Sequence, residues 1–461
     1  MVDACSATSA SRDSGTCTEN IGAGGGGFTS YKSRGSPNLE QNSDSAPHLI
    51  YPPNTRYQCV KCGECCRQQW VIDVEQGCPD KLPGVLKSHI HPVDNRRQSG
   101  AVAGVIRPDP SRGGCPLLGA DNLCVIHKRL GYNAKPLVCK KFPFRFIETP
   151  RGIVVDVSFV CNEVLHNRGE PIEQYQQELE ELAAQTSWKI TVADKILLKT
   201  KISVTYDAYL LIEEKLLSIL SARQATLEDR LVAGNIFLFS LCKNIYDDER
   251  ITLNEASIEK RLARFAPRHI AKLYLIAKKG KKMCSRHRQQ LFVITFLTFA
   301  SSALERKSRL RVLLDTWINN TKQTLNVGKI RVPVLAEPVA LRRLSDVAFD
   351  AEDTSIGDLA ARYLSHCIFR KVLIAQYGIF RGYNMLLLMY GVMKWLSKVF
   401  ALQDGKDCVE PTHFANAIKL VERQYLRHSE HLALLKVESR AMRFVDKVFE
   451  DLGFAPLIVK S

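Results

Sequence analysis

The stretch Cys59-Val-Lys-Cys62-Gly-Glu-Cys65-Cys66 decides how the first part of this chain folds, because it places four thiols in one short segment. Two cysteines three residues apart can reach one metal ion from a single tight turn, and thiolates are soft ligands for zinc and iron–sulfur clusters. Four further cysteines follow at positions 115, 124, 139 and 161. We therefore predict a metal centre whose candidate ligands are Cys59, Cys62, Cys65, Cys66, Cys115, Cys124, Cys139 and Cys161.

The number of metal sites is open at this stage. With about four ligands at each site, eight cysteines suit either two sites or one site with spare thiols. The side chains of neighbouring residues in an extended or turning backbone point apart. We therefore expect Cys65 and Cys66 to have different roles, either at two metals or with one of them in packing.

The identity of the metal rests on the spacing of the ligands. Zinc sites usually pair Cys-x2-Cys knuckles, and only the first quartet and Cys124-x2-His127 have that form. A proline directly after a ligand cysteine, as in Cys115-Pro116, is typical of ferredoxin-like sequences. The sequence favours an iron–sulfur cluster of the 4Fe–4S type, with zinc as the alternative. His127 could also bind metal, although a lone histidine beside a cysteine is more often structural.

The other cysteines are outside this pattern. We expect those scattered singly through predicted helices to pack as small hydrophobic side chains, namely Cys242, Cys284, Cys367 and Cys408. The chain begins Met-Val-Asp-Ala-Cys-Ser-Ala-Thr, without the basic and then apolar pattern of a secretion signal. We therefore expect a reducing, cytoplasmic compartment, in which thiols serve as metal ligands rather than as disulfides.

Two stretches of the chain are apolar enough to be considered as membrane spans. Residues 291–304 are too few to cross a bilayer, and the stretch 383–402 carries Lys394 and Lys398 in its middle. We predict that both form core helices and that the chain has no transmembrane segment.

The net charge of +16 is unevenly distributed, since residues 259–288 carry a dense run of Lys and Arg. Such a run could attract nucleic acid, an anionic membrane or an acidic protein, or could form a solvated helix face. No aromatic interleaving or recognition signature accompanies it, so the sequence does not support nucleic-acid binding.

The amino-acid composition changes along the 461 residues and predicts three parts of the chain. Residues 1–50 are rich in Ser, Gly, Asn and Asp and are predicted to be a disordered tail. Residues 51–165 form the loop-rich cysteine module, with a short strand at 70–74. Within it, residues 144–147 and 152–159 flank a turn and are predicted to pair as a hairpin that delivers Cys139 and Cys161 to one end.

Residues 166–461 are predicted to be a large helical domain, with a possible division at the proline-containing connector 329–341. Apolar residues recur there at helical spacing, and Thr226 is placed to cap a helix that runs through Leu241. The predicted fold class is therefore mainly α, with a small α+β cysteine-cluster module followed by helices. The remaining predicted helices are 207–221, 255–278, 288–304, 306–318, 356–376, 383–402, 411–426 and 429–452.

The cysteine pattern resembles the YkgJ-like cysteine-cluster family, which is described as zinc- or iron-chelating. The resemblance rests on five ordered elements: Cys59 to Cys66, Cys115-Pro-Leu, Cys124-Val-Ile-His127, Pro136 to Pro143, and a closing Cys161. Position 127 departs from the family pattern, where tyrosine is commoner, so the resemblance implies no ligand role for His127.

Within this family, the cysteine module joined to a long helical half is similar to the flagellin lysine N-methylases, and the similarity covers residues 55–245 best. It implies transfer of a methyl group from S-adenosylmethionine to lysine ε-amino groups of a flagellin-like or other surface protein. The sequence has neither a Gly-x-Gly-x-Gly element after a strand nor the Cys-x3-Cys-x2-Cys spacing of radical enzymes. No catalytic or cofactor-binding residue is therefore assigned, and a non-enzymatic metalloprotein for binding or redox sensing is the alternative.

Overall fold

The computed structural model describes residues 48–68, 70–93, 102–109, 111–186, 190–242, 250–265, 267–279, 293–297, 309–332, 334–427, 448–449, 451 and 453–460. The predicted disordered tail lies outside these residues except for its last three positions. Leu49 and Ile50 form a short strand that pairs in parallel with Ile153 and Val154. The predicted helix 429–452 also lies almost wholly outside the described residues.

The cysteine region contains short strands joined by loops. A four-stranded sheet has the order Leu49–Ile50, Gly152–Val157, Phe144–Thr149, Ile190–Thr191. A three-stranded sheet has the order Ile72–Glu75, Val102–Ile106, Ile90–His91, and Arg56–Tyr57 pairs with Glu170–Pro171. The short helical segments of the cysteine region are Glu64–Arg67, Pro79–Lys81, Gly84–Lys87, Val125–Leu130, Tyr132–Ala134, Leu137–Lys141 and Asn162–Leu165.

The predicted hairpin is confirmed. Phe144 pairs with Val157 and Thr149 pairs with Gly152, so a turn of two residues joins the strands Phe144–Thr149 and Gly152–Val157. Gly152 has φ of 135°, and a Cβ there would lie 2.6 Å from the carbonyl oxygen of His48, so this position requires glycine. The predicted strand at 70–74 is observed as Ile72–Glu75.

Helices dominate the rest of the chain, which confirms the mainly α fold class. They are Ile172–Tyr175, Gln176–Gln185, Tyr206–Ser221, Leu227–Cys242, Glu255–Leu262, Pro267–Lys279, residues 293–297, Arg309–Leu325, Leu341–Asp346, Thr354–Phe369, Val372–Tyr377, Ile379–Gln403, Pro411–Val421, the π-helix Glu422–Arg427 and Phe454–Lys460. Thr226 caps its helix as predicted, since its hydroxyl accepts a hydrogen bond of 3.2 Å from the Asp229 amide.

Two predicted helices are each divided. The predicted helix 255–278 is two helices, because Pro267 lacks the amide hydrogen that continuation would need. The predicted helix 356–376 breaks where Lys371 adopts φ of 60°. Three strands that the sequence did not predict, Lys195–Lys199, Ile202–Thr205 and Ile251–Leu253, form a small sheet in the helical half. Part of the predicted connector 329–341 is a hairpin of Lys329–Ile330 and Val339–Ala340.

The helix Ile379–Gln403 is the one described helix that is long and apolar enough to span a bilayer, and 89% of its most apolar window is buried inside the protein. This agrees with the prediction of a core helix there. Lys394 is accommodated because its ammonium group lies 2.5 Å from the Glu228 carboxylate and 2.8 Å from the carbonyl oxygen of Val459. Of the other apolar stretch, 291–304, only residues 293–297 are described, and Val293, Ile294 and Leu297 are buried.

Side chains divide into two hydrophobic cores. The main core contains helical residues together with hairpin residues such as Phe146 and Val155. A second, small core belongs to the cysteine region alone and consists of Ile72, Val74, Cys78, Leu82, Leu86, Ile106, Leu117, Ile126 and Ala134. The hairpin therefore packs with the helices, whereas the segments that carry most of the cysteines depend on few apolar contacts.

A buried ionic cluster joins the hairpin to the helices. Asp156, on the second hairpin strand, accepts hydrogen bonds from Arg145 at 2.9 Å and lies 2.9 Å from His366 Nε2. Arg370, one turn beyond His366, donates to Glu422 at 2.9 and 3.0 Å, and Tyr363 donates to the same carboxylate at 2.8 Å. Burial lowers the pKa of His366, although Asp156 opposes that shift.

Candidate metal centre

All eight predicted cysteine ligands line one cavity of about 850 Å³. The hairpin turns the chain back, so Cys139 and Cys161 reach the same cavity as predicted. Every cysteine among the described residues is a free thiol. The geometry thus brings together eight soft donors from five separate stretches of sequence.

Cys65 and Cys66 lie in the short 3-10 helix Glu64–Arg67, which begins after Gly63. Gly63 has φ of 72°, and a Cβ there would lie 2.9 Å from the carbonyl oxygen of Asn122. The glycine therefore permits both the turn and the close approach of the loop that carries Cys124. The amide of Cys66 donates to the Gly63 carbonyl at 3.0 Å, which closes this turn.

Cys115 is held beside Cys66 by the backbone. The amide of Cys115 donates a hydrogen bond of 2.8 Å to the carbonyl oxygen of Cys66. The preceding residue is Gly114, where a Cβ would lie 2.5 Å from the same oxygen. Only a residue without a side chain lets these two segments lie so close together.

Three further cysteines lie at or within short helices. Cys124 precedes the helix Val125–Leu130, and Cys161 precedes Asn162–Leu165. Cys139 lies within Leu137–Lys141, whose first amide donates to the Glu75 carboxylate at 2.9 Å. The amides of Val164 and Glu163 interact with the Cys161 sulfur and lower its pKa, but burial is the stronger influence and raises that pKa to about 11. Amide hydrogen bonds of this kind stabilise a thiolate.

Five thiols are linked by electrostatic interactions, of which that between Cys65 and Cys66 is the strongest, and are called here the five-thiol group: Cys65, Cys66, Cys115, Cys124 and Cys139. A hydrogen bond from the Cys66 thiol lowers the pKa of Cys65 to about 7, and the same interaction raises the pKa of Cys66. Burial raises the pKa of Cys115 to about 11, with a further contribution from Cys124. Burial also raises the pKa of Cys139, and Cys115 and Cys124 add to this effect.

The contact between Cys65 and Cys66 corrects one expectation. Their side chains were expected to point apart, but the tight 3-10 turn brings the two thiols into hydrogen-bonding contact. Both can therefore face the same part of the cavity.

The remaining three ligand candidates, Cys59, Cys62 and Cys161, are called the three-thiol group. Burial is the main cause of the raised pKa of Cys161, and Cys62 and Cys59 raise it further. Tyr57 interacts with members of this group and with Cys65. Burial raises the pKa of its phenol, and Cys59, Cys161 and Cys65 raise it further. Its hydroxyl also interacts with the Cys59 thiol, so Tyr57 is a polar neighbour of the thiols that the cysteine pattern did not predict.

The thiols do not form a finished coordination shell. Within the described residues, no three Cys, His, Asp or Glu side chains converge as a ready metal-binding set. Cysteine side chains rotate between staggered positions at small cost, so metal binding would require rotation of thiols that already share the cavity. The donor set fits zinc or an iron–sulfur cluster, because both prefer thiolates and need about four of them.

Lys135 supplies positive charge to the cavity and was not predicted from the sequence. It lowers the pKa of both Cys65 and Cys139, which favours their thiolate forms. Its ammonium group lies 5.2 Å from the centre of the Tyr132 ring. The one feature of the sequence that could have indicated this role of Lys135 is its position directly before Pro136 in the Pro-x-x-Cys element.

His127 also lines the cavity, with its ring 5.9 Å from that of Tyr132. Burial lowers its pKa, and Lys135 and Lys61 lower it further, which favours the neutral imidazole. Its role as a ligand stays open.

The described cysteines outside the pattern do not line the cavity. Cys78 is buried in the small core, with its sulfur 3.9 Å from the Ala134 carbonyl oxygen. Cys367 packs in the main core as expected, and Cys242 packs against it. Cys408 is exposed, so the expectation of packing is wrong there. Cys284 and the basic residues of the run between positions 280 and 288 lie outside the described residues.

A comparison with known protein families supports the prediction of a metal-binding cysteine region. Residues 58–163 match a family model described as "CxxCxxCC: Putative zinc- or iron-chelating domain". No curated protein and no solved structure matches the chain. The family match supports a metal-binding protein that uses zinc or iron.

Proposed function

We propose that this protein binds zinc or an iron–sulfur cluster through the cysteines of the cavity, with an iron–sulfur cluster preferred. The observation that carries the proposal is that eight thiols from separate stretches line one cavity inside the matched region. The five-thiol group holds enough donors for one four-thiolate site. The three-thiol group would then supply spare ligands or part of a second site.

Residues around the thiols would support the bound group. Lys135 would offset part of the negative charge of the thiolates, and the amides of Glu163 and Val164 would donate to Cys161. A bound metal would link chain segments that otherwise share only the small hydrophobic core, and an iron–sulfur cluster would in addition accept or donate electrons.

We further propose that the protein transfers a methyl group from S-adenosylmethionine to lysine ε-amino groups of a flagellin-like or other surface protein. The proposal rests on the resemblance of residues 55–245 to the flagellin lysine N-methylases. The size of the cavity is compatible with it, because about 850 Å³ falls within the roughly 300–1,000 Å³ typical of small-molecule sites. Lysine methylation requires a deprotonated amine aligned with the methyl donor in a dry site.

The alternative is a metalloprotein without catalytic activity that acts as a binding or redox-sensing module. The small core of the cysteine region favours a structural role for metal, since binding to the folded state alone stabilises that state.

Two experiments test these proposals. Cys139→Ser should lose most of the bound metal, whereas Cys408→Ser, an exposed cysteine outside the cavity, should keep it. Full metal content in Cys139→Ser would remove Cys139 from the ligand set. Calorimetric titration of the metal-loaded protein with S-adenosylmethionine tests the methyl-transfer proposal, and the absence of binding would contradict it.

A further inference from the structure

The helix Arg309–Leu325 presents large apolar side chains to solvent. Trp317 is 68% exposed and Leu310 is 69% exposed, whereas such side chains are mostly found inside a protein. Single apolar residues scattered over a surface need no explanation, but a contiguous group on one element marks an interaction site. The exposed group on this helix is called here the apolar stripe and consists of Leu310, Leu313, Leu314, Trp317, Ile318 and Leu325.

The geometry of the helix places these residues on one face. Positions 310, 313, 314, 317 and 318 follow the spacing of three and four that aligns side chains at 3.6 residues per turn. Thr321 and Thr324, which are also exposed, continue the stripe to Leu325. The stripe therefore runs along most of a helix about 25 Å long.

The opposite face fixes the helix to the rest of the protein and is the more polar of the two. Val312, Asn319 and Gln323 are buried there, and the Asn319 amide donates a hydrogen bond of 3.5 Å to the carbonyl oxygen of Arg331. The helix thus buries two side-chain amides while it exposes a tryptophan and leucines. A surface helix of a globular protein has the reverse arrangement, so the stripe indicates a partner.

Basic residues border the stripe. By the same helical spacing, Arg311 lies at one edge of the stripe and Lys322 at the other. The one acidic residue in the helix sequence is Asp315, which lies 3.7 Å from Arg311 in an exposed and therefore weak pair. Long basic side chains at the border of an apolar face can reach lipid headgroups while the apolar residues enter the acyl boundary. Tryptophan is also favoured at membrane–water interfaces.

The helix Pro267–Lys279 repeats the combination of apolar and basic side chains. Leu275, Ile276, Arg268 and Lys272 are all exposed there, at positions that share one face. This helix belongs to the basic run 259–288, whose partner the sequence leaves open. Exposed leucine and isoleucine among the basic residues favour an anionic membrane over nucleic acid or a solvated face, neither of which requires apolar side chains.

We infer that the apolar stripe docks this protein on the surface of an anionic lipid bilayer. The helix Arg309–Leu325 would lie in the plane of the interface, with its apolar side chains at the acyl boundary and with Arg311 and Lys322 among the headgroups. A second copy of the chain fits the stripe less well, since their basic borders would meet. No residue of this helix lines the thiol cavity, so the inference does not depend on the metal centre.

Flotation of the full-length protein with lipid vesicles tests the inference. The vesicles contain phosphatidylcholine alone or phosphatidylcholine with about 30% phosphatidylglycerol, which supplies negative charge. We expect binding to the anionic vesicles to be about tenfold or more stronger, and to weaken in about 0.5 M salt because salt screens the basic residues. Equal binding to both kinds of vesicle, or no binding to either, would overturn the inference.

A double variant tests the apolar contribution. Leu313→Gln together with Trp317→Gln should weaken binding to the anionic vesicles about tenfold or more, because both side chains would no longer enter the acyl boundary. The matched control is Val85→Gln, an exposed valine in the cysteine region, which should change binding by less than about twofold. Urea unfolding of both variants checks that they are folded. Unchanged vesicle binding in a folded double variant would overturn the role of the stripe.

A charge variant tests the basic border. Arg311→Gln should weaken binding to the anionic vesicles about threefold or more, whereas Arg151→Gln, which removes another exposed arginine paired with an aspartate, should change it by less than about twofold. Equal effects of the two substitutions would overturn the role of Arg311. Sedimentation of the same samples tests the other occupant: a dimer that the double variant dissociates, without vesicle binding, would identify a second copy and overturn the inference.

Discussion

His366 Nε2 lies 2.9 Å from Asp156 Oδ1, and this contact connects the cysteine region to the helical half between residues that are 210 positions apart. Asp156 is fully buried and also holds Arg145, which lines the thiol cavity. The hairpin that returns the chain to the cavity is thus anchored in the helices by charged groups as well as by apolar packing.

Asp156→Asn should destabilise the protein by about 3–5 kcal/mol, because Arg145 would remain in place without its carboxylate partner. Urea unfolding followed by circular dichroism measures this change. The control is Asp207→Asn, which removes the partner of Arg151 in an exposed ion pair and should have a much smaller effect. Equal effects of the two substitutions would show that the buried cluster contributes no special stability.

The lowered pKa of His366 predicts weaker stability in acid. Its pKa in the folded protein lies below the ordinary value near 6.5, so the unfolded chain binds a proton more readily. The stability that the neutral form of His366 gives to the folded protein is fully present above about pH 6.5 and is lost as the pH falls. Unfolding free energies at about pH 7.5 and about pH 5.5 should therefore differ less in His366→Gln than in the unmodified protein. A larger pH dependence in the variant would contradict this assignment.

Gly114→Ala should disrupt the metal centre. The new methyl group would meet the carbonyl oxygen of Cys66 at 2.5 Å, so Cys115 must move away from Cys66. We expect a clear loss of bound metal, measured by elemental analysis of purified protein. The matched control is Gly84→Ala, where nothing lies within 4 Å of the added Cβ, and metal content should not change. Normal metal content in Gly114→Ala would show that the Cys66–Cys115 approach is dispensable.

Lys371→Met should destabilise the helical half by about 3–5 kcal/mol. The Lys371 ammonium group lies 2.8 Å from the Glu213 carboxylate, and both are buried, so the substitution leaves a buried charge without a partner. Adding Glu213→Gln removes that charge and should restore much of the loss, since Tyr209 can still donate to the amide oxygen. Additive effects of the two substitutions in urea unfolding would contradict this coupling.

The sequence was sufficient to predict the parts of the site that depend on short spacing. The hairpin from Phe144 to Val157 follows from two extended runs around a turn, and it accounts for the convergence of Cys139 and Cys161. The mainly helical class followed from apolar periodicity in the same way. The contact between Cys65 and Cys66 could not be predicted, because the directions of their side chains are set by a 3-10 turn that the sequence pattern does not indicate.

Other features could not be predicted because they depend on distant contacts. Tyr57 is an ordinary tyrosine in the sequence, and only folding places it at the cavity beside the Cys59 thiol. Asp156, His366 and Glu422 belong to one buried cluster although they lie in three distant parts of the chain. No local pattern links such residues, whereas side-chain packing does.

The most direct test of the metal centre is elemental analysis for iron and zinc, together with acid-labile sulfide and a visible absorption spectrum, on protein purified without oxygen. Iron with matching sulfide and a broad visible absorption would confirm the iron–sulfur proposal, and bound zinc without sulfide would select the alternative. Protein that is folded and contains neither metal, even after reconstitution with iron and sulfide or with zinc, would contradict the account.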